Sequence, residues 1–283
     1  MPRDGLADRC KRFELIEADR RAMPGIPLLA RLDGRAFHTF TRGLRRPFDP
    51  GLSTAMIETT RTLVDDTVAA VGYTQSDEIT LAWFAPSGGA TDSSYLFDGR
   101  FQKLASVLAG LASARFAQLV AEHLPSKLGT TPHFDCRVWQ VPTLADAAEV
   151  FVWREDDASK NSITMAAGAY YDDAILEGKS SADKHELLFA RGVNWNDYPA
   201  FFKRGTYLQR RGYDRTLTAE EREAIPERHR PPIGAVVRRH RVEALDLPPV
   251  RRLTNLVEVL FERADPMPSG AAAEPDEPAT APP

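Results

Sequence analysis

The chain has 283 residues, enough for one large domain or two small ones, and its 43% hydrophobic content is ordinary for a packed core. A formal net charge of -4 carries no global excess of positive charge, so a nucleic-acid partner has to be held by locally clustered Arg and Lys. The two cysteines, Cys10 and Cys136, lie far apart with no second Cys or His at ligand spacing, which argues against a zinc site or a disulfide framework and fits a reducing cytoplasm.

The charge-dense stretch Met1 to Arg21 reads as no export signal, and no run approaches the roughly 20 apolar residues of a membrane span, so no membrane is expected as a partner. Residues 6 to 22 mix Leu6, Phe13, Leu15 and Ile16 with charges and predict an exposed amphipathic helix ending before Pro24-Gly25. The apolar run Ile26 to Ala30 continues into Arg31-Leu32-Asp33-Gly34, a buried strand that delivers a carboxylate and a glycine to its tip. A Gly- and Pro-bearing loop follows from His38 to Pro50, and then apolar positions at helical spacing from Leu52 to Val71.

Val71 to Gln75 and Ile79 to Phe84 are β-prone runs joined by Ser76-Asp77-Glu78, a hairpin carrying two more acids. A turn is expected at Pro86-Ser87-Gly88-Gly89, a second helix from about Arg100 to Glu122, and a fourth strand from His133 to Val141. The order strand, helix, strand, strand, helix, strand is the split arrangement of an α+β, ferredoxin-like βαββαβ domain. Its first and third strands are neighbours, so Asp33 and Asp77 are expected side by side.

Helical patterning resumes from Leu144 to about Ile175 with a polar interval at Glu155 to Ser162, then at Ala182 to Arg191 and Asp197 to Phe202. Residues 206 to 242 are Arg-rich with acids interspersed and read as a solvated surface, with capping-box character at Thr218 to Glu221. From Asp265 the chain is Ala, Pro, Glu and Gly, with too little apolar surface to offset ordering. The expected division is therefore a catalytic domain over 1–142, a mainly helical domain and extension over 143–264, and a disordered tail over 265–283.

Two adjacent carboxylates repel unless a cation or a shared proton stands between them, and hard oxygen ligands with open positions suit Mg2+ completed by substrate phosphates. Gly34 admits close approach, and the amides from Arg35 to His38 form a candidate anion nest for a triphosphate. Asp-Gly or Ser-Asp-Glu alone is more often a turn than a site; their convergence at strand ends favours chemistry. Asp33, Asp77 and Glu78 are the candidate catalytic acids. Trp153-Arg154 reads equally as packing with a surface charge or as a recognition element.

Taken together, Arg31 to His38, Ser76 to Glu78, Phe134 to Val138, Trp153-Arg154, Asn161-Ser162, Leu187 to Phe189, Asn194 and Phe202 to Gly205 resemble, in order, the tRNA-His guanylyltransferase family. The resemblance is nearer to its bacterial and archaeal "-like" members, the 3′-to-5′ RNA polymerases. It implies a polymerase- and cyclase-type palm followed by a helical domain, usually in a homotetramer. It implies two Mg2+ ions on Asp33, the Gly34 carbonyl and Asp77, with ATP, GTP or another nucleoside triphosphate on Asp33, Gly34, Arg35, Ala36, Phe37, His38, Ser76 and Asp77. Arg46, Arg100, Lys103 and Asn161 resemble triphosphate contacts, and Lys203 and Arg204 part of a tRNA-facing surface. Where guanylyltransferases proper carry a His-Ile-Asn-Asn-type segment, this chain has Ser159-Lys160-Asn161-Ser162, which points to templated repair of 5′-truncated tRNA.

Overall fold

The computed structural model describes residues 5–86 and 95–270. In chain order these form α1 (Leu6–Ala18), β1 (Leu28–Gly34), α2 (Phe37–Phe40), α3 (Pro50–Thr67), β2 (Val71–Gln75), β3 (Glu78–Trp83), α4 (Phe101–His123) and β4 (Phe134–Gln140). There follow α5 (Leu144–Ala167), α6 (Asp173–Leu176), α7 (Ser181–Ala190), α8 (Ala200–Arg204), β5 (Thr206–Thr216), α9 (Ala219–Glu223) and β6 (Val236–Ala244). The six strands make one sheet in the order β4-β1-β3-β2-β5-β6, every pairing antiparallel.

Alternation along β1 sorts its side chains onto two faces. Leu28, Ala30 and Leu32 join Met56, Leu63 and Val64 of α3 and Leu104, Leu108, Phe116 and Leu119 of α4 in one core. Leu29 faces the other way, with Val71, Tyr73 and Ala82, and packs beneath Ala147, Ala148 and Phe151 of α5. The sheet is thus covered on both faces. A third cluster, around Ile163, Leu188, Trp195 and Phe202, ties α5 to α7 and α8.

Local chemistry sets the helix ends. Asp49 caps α3 by accepting the Gly51 and Leu52 amides at 2.8 and 3.2 Å. Reciprocal capping boxes open α5 at Thr143 and Asp146 and α7 at Ser180 and Asp183. The box expected at Thr218 and Glu221 opens α9. By length and composition α4 could cross a bilayer, contrary to the expectation that no run comes near that limit. Its apolar residues Leu104, Leu108, Ala112, Phe116, Leu119 and Val120 are buried in the protein core, which accounts for its hydrophobicity.

The structure departs from the expected mainly helical region after residue 142. β5 pairs with the free edge of β2, Gly72 opposite Leu208, and β6 pairs with β5, so the Arg-rich segment extends the sheet. The solvated-surface reading holds for part of these strands, since Arg238 and Arg241 are exposed; Leu208 and Gln209 are fully buried. Gly205 makes the entry into β5 possible: at φ +79° it lies so close to β2 that a Cβ would stand 2.6 Å from the Thr74 carbonyl oxygen. Residues 265–269 are not a loose tail: Ser269 N–H donates to the Arg252 carbonyl at 2.7 Å, and Met267 N–H to Asn255 Oδ1 at 2.8 Å. The rest of the expected tail, 271–283, and most of the expected turn at 86–89 lie outside the described residues.

Candidate active site

Asp33 stands at the tip of β1 with Glu78 directly opposite on β3 and Asp135 opposite on β4. The Gly34 amide donates to the Asp77 carbonyl at 3.0 Å, binding the strand tip to the hairpin turn. Asp33 and Asp77 therefore meet. Ser76 holds the turn in a left-handed conformation, φ +48°, and its hydroxyl donates to Asp77 Oδ1 at 3.1 Å. A non-glycine residue in that region carries strain that surrounding contacts must hold.

Burial raises the Asp77 carboxyl above its usual range, and the Asp33 charge pushes in the same direction, while the Ser76 hydroxyl and His38 pull it down. Among the described residues neither Asp33 nor Asp77 is ion-paired to a Lys or Arg. Two converging carboxylates with no Lys or Arg ion pair among the described residues, beside Gly34, are a hard-oxygen donor set with positions left for phosphate and water, and Mg2+ fits it. The protein ligands alone are few: no group of three or more His, Cys, Asp or Glu among the described residues forms a metal cage.

Glu78 behaves differently from its neighbour. It is buried and gripped by Arg154 of α5, whose Nε and Nη2 donate to its two carboxylate oxygens at 2.6 and 2.8 Å, with Arg31 Nε at 3.9 Å. Glu78, expected among the catalytic acids, thus has its side chain committed to an ion pair. Arg154, read from sequence as an equivocal surface charge, is buried and also reaches Asp157 at 3.1 Å, which accepts from Asn161 Nδ2 at 3.2 Å. No sequence signal links residues 78 and 154, because the pairing depends on α5 crossing the sheet.

The loop after β1 departs in part from the expected nest. The Arg35 amide is spent on the His133 carbonyl at 2.9 Å, and its guanidinium lies 3.2 Å from His133 Nε2. Phe37 turns inward among Phe40, Phe116 and Phe134 at centroid distances of 5.0 to 5.4 Å, so its ring is core and not a ligand contact. Gly34 is required there: a Cβ would lie 2.4 Å from the Phe37 ring. Ala36, at φ +57°, starts α2, and the amides of Phe37 and His38 point from its first turn, where no intrahelical partner exists.

His38, Arg46 and Ser76 line one cavity of about 340 Å3, within the range of small-molecule sites. Arg42 and Arg45 line it too, with Phe48, Met165 and Asp173. Arg42 and Arg45 were missed by sequence reasoning, although their clustering with Arg46 was visible. Phe48 pins this loop to α8, 4.8 Å from Phe202 and 5.3 Å from Phe201.

Arg100 and Lys103 do not join the site within this chain. Arg100 begins α4 next to Arg21 and lies within 4.0 Å of Asp19 and 3.8 Å of Asp98; Lys103 stacks over Phe97. Phe116, the α4 residue beside Phe37, is sixteen residues further on, about 24 Å along a helix. Lys203 and Arg204 end α8: Lys203 lies over Trp195, and the Arg204 carbonyl accepts from the Tyr73 hydroxyl at 2.8 Å.

A family profile described as tRNAHis guanylyltransferase matches residues 7–142. A solved bacterial tRNA(His) guanylyltransferase-like protein in complex with ATP superposes with a TM-score of 0.67 at 34% identity, over 73% of this chain and 87% of its own. The chain belongs to the tRNA(His) guanylyltransferase family. It is a nucleotidyltransferase. A second bacterial tRNA(His) guanylyltransferase-like structure, in complex with GTP, matches 88% of this chain and 94% of its own at 29% identity and a TM-score of 0.67. The tRNA(His) guanylyltransferase of Schizosaccharomyces pombe is 27% identical over 218 residues, 72% of this chain and 80% of that protein.

Proposed function

We propose that this member of the family adds nucleotides to the 5′ end of tRNA in the 3′-to-5′ direction, on a polymerase-type palm, and that its task is templated 5′-end repair. The observation that carries the reading is the convergence of Asp33 and Asp77, with no Lys or Arg ion pair among the described residues, beside an arginine-lined cavity. Asp33, the Gly34 carbonyl and Asp77 would hold two Mg2+ ions, whose charge would stabilise the attacking and leaving oxygens of an in-line phosphoryl displacement. Arg46 and His38 face the cavity, Arg46 supplying positive charge and both supplying donors to a triphosphate, and Ser76 holds Asp77 at its rim.

In this scheme ATP first adenylylates the tRNA 5′-monophosphate, releasing pyrophosphate. The 3′-hydroxyl of the incoming nucleoside triphosphate then attacks that phosphorus, and AMP leaves. Both steps are displacements at one acid pair. Asn161, tethered through Asp157 to Arg154, stands on the α5 side of the site, and Lys203 and Arg204 offer charge to the tRNA backbone from the 143–264 region.

The Ser159-Lys160-Asn161-Ser162 segment favours repair over addition of an extra guanosine. Its last position is already occupied by packing chemistry, Ser162 accepting from Trp195 Nε1 at 3.1 Å and donating to the Lys203 carbonyl at 3.2 Å. We infer a cytoplasmic enzyme from the free cysteines Cys10 and Cys136. We infer a homotetramer from the family resemblance, and α1, which buries none of its residues and exposes Leu6, Phe13 and Ile16, offers an apolar surface for subunit contact.

The test uses purified protein, Mg2+, nucleoside triphosphates and 5′-labelled tRNAs, intact or lacking the first nucleotide, with varied bases opposite the gap. Extension by the complementary base is expected, and Asp33→Ala and Asp77→Ala each abolish it while circular dichroism stays native. Guanosine addition to tRNA-His alone, whatever stands opposite, refutes repair; retained extension in either variant refutes the acid pair.

A further inference from the structure

The geometry points to Arg154 as a positioning residue that withholds Glu78 from the metal-binding pair Asp33 and Asp77. Three acids meet at this end of the sheet. Glu78 follows Asp77 in the chain and lies directly opposite Asp33 across the β1–β3 ladder, where paired Cβ atoms stand roughly 4.5–5.5 Å apart. Left free, its carboxylate is within reach of a cation bound by the other two.

Arg154 prevents this by occupying both Glu78 oxygens through a planar fork, a match in which Lys is no substitute. The clamp is itself clamped. Asp157 accepts from Arg154 Nη2 at 3.1 Å, and Trp153 lies over the guanidinia of Arg154 and Arg31 at 4.6 and 5.5 Å. Arg31 and Arg154 both approach the same carboxylate, and Trp153, itself 53% exposed, lies beside both guanidinia. Arg154 is buried, so it acts on the site through Glu78.

The consequence is selective. Among the described residues Asp33 and Asp77 stay without a Lys or Arg ion pair and available to a metal and a triphosphate, whereas Glu78 fixes the hairpin that carries Asp77 against α5. Releasing Glu78 adds a negative charge to the donor set, which tightens metal binding while displacing the donors from their working arrangement.

The inference rests on the proposed metal site, and the experiment separates the two. Mn2+ binding to the full-length protein is titrated by the electron paramagnetic resonance signal of free Mn2+, alongside turnover, in wild type, Glu78→Gln, Arg154→Met, Arg154→Lys, Arg154→Met/Glu78→Gln and Asp33→Ala. Glu78→Gln is expected to keep Mn2+ affinity within about twofold, because its oxygens are not donors. Arg154→Met is expected to tighten Mn2+ binding several-fold while turnover falls at least tenfold. Adding Glu78→Gln returns Mn2+ affinity to the wild-type value and recovers part of the turnover, and Arg154→Lys falls between wild type and Arg154→Met. A tenfold loss of Mn2+ affinity in Glu78→Gln overturns the inference even if the Arg154 variants do not fold, since it makes Glu78 a ligand. Unchanged Mn2+ affinity in folded Arg154→Met also overturns it. Wild-type Mn2+ binding in Asp33→Ala defeats the metal site itself.

Discussion

Glu155 is a buried carboxylate on α5 whose chief assigned partner is the backbone amide of Val250, donating to Oε1 at 2.9 Å. Burial pushes its pKa from the ordinary 4.5 up to about 7, with the Val250 amide and the Arg204 guanidinium opposing the shift without cancelling it. The folded state therefore binds the proton more tightly than the unfolded chain, so this group favours folding at low pH and its contribution is lost as pH rises through 7. At roughly 1.4 kcal/mol per decade, integrating between those two values costs the fold about 2–3 kcal/mol between pH 5 and pH 8. Glu155→Gln removes the titration and keeps an oxygen for Val250. Urea unfolding of both proteins across that range is the assay, because other titrating groups cancel in the difference. The stability of Glu155→Gln relative to wild type is expected to grow by about 2–3 kcal/mol from pH 5 to pH 8. A difference that is flat with pH, or that shrinks, refutes the reasoning.

Phe48→Ala removes the ring that pins the arginine loop to Phe201 and Phe202, so a stability loss of about 2–3 kcal/mol is expected, with a roughly tenfold rise in KM for the nucleoside triphosphate; calorimetry and steady-state kinetics check each part. Arg46→Ala is expected to raise that KM about 10- to 100-fold through loss of a charged donor in the cavity, whereas Arg100→Ala, at the far end of α4, leaves it within about twofold. Equal effects of the two variants would return Arg100 to the site. Gly34→Ala forces a Cβ to 2.4 Å from the Phe37 ring, so repacking of about 1–3 kcal/mol and a loss of turnover near 100-fold are expected, read by thermal unfolding and extension assays.

The sequence by itself determined the elements whose signals are local. The strand ending at Asp33-Gly34, the Ser76-Asp77 hairpin, the periodic helices α3 and α4 and the capping box at Thr218 all depend on residues within a few positions of one another. The meeting of Asp33 with Asp77 followed as well, because a strand order inferred from those elements leaves few topologies. Only the tertiary structure decided the rest. β5 and β6 are charge-rich strands with little alternation to announce them, and they exist because β2 offers an unpaired edge. α5 lies on the sheet and not in a separate layer beyond it, and that placement pairs Glu78, read from sequence as a candidate catalytic acid, with Arg154, 76 residues away. Arg100 and Lys103 were drawn to the site by resemblance, and within one chain the length of α4 keeps them apart from it. Local sequence fixes which backbone forms; which charges neutralise one another depends on distances that arise only when remote elements pack.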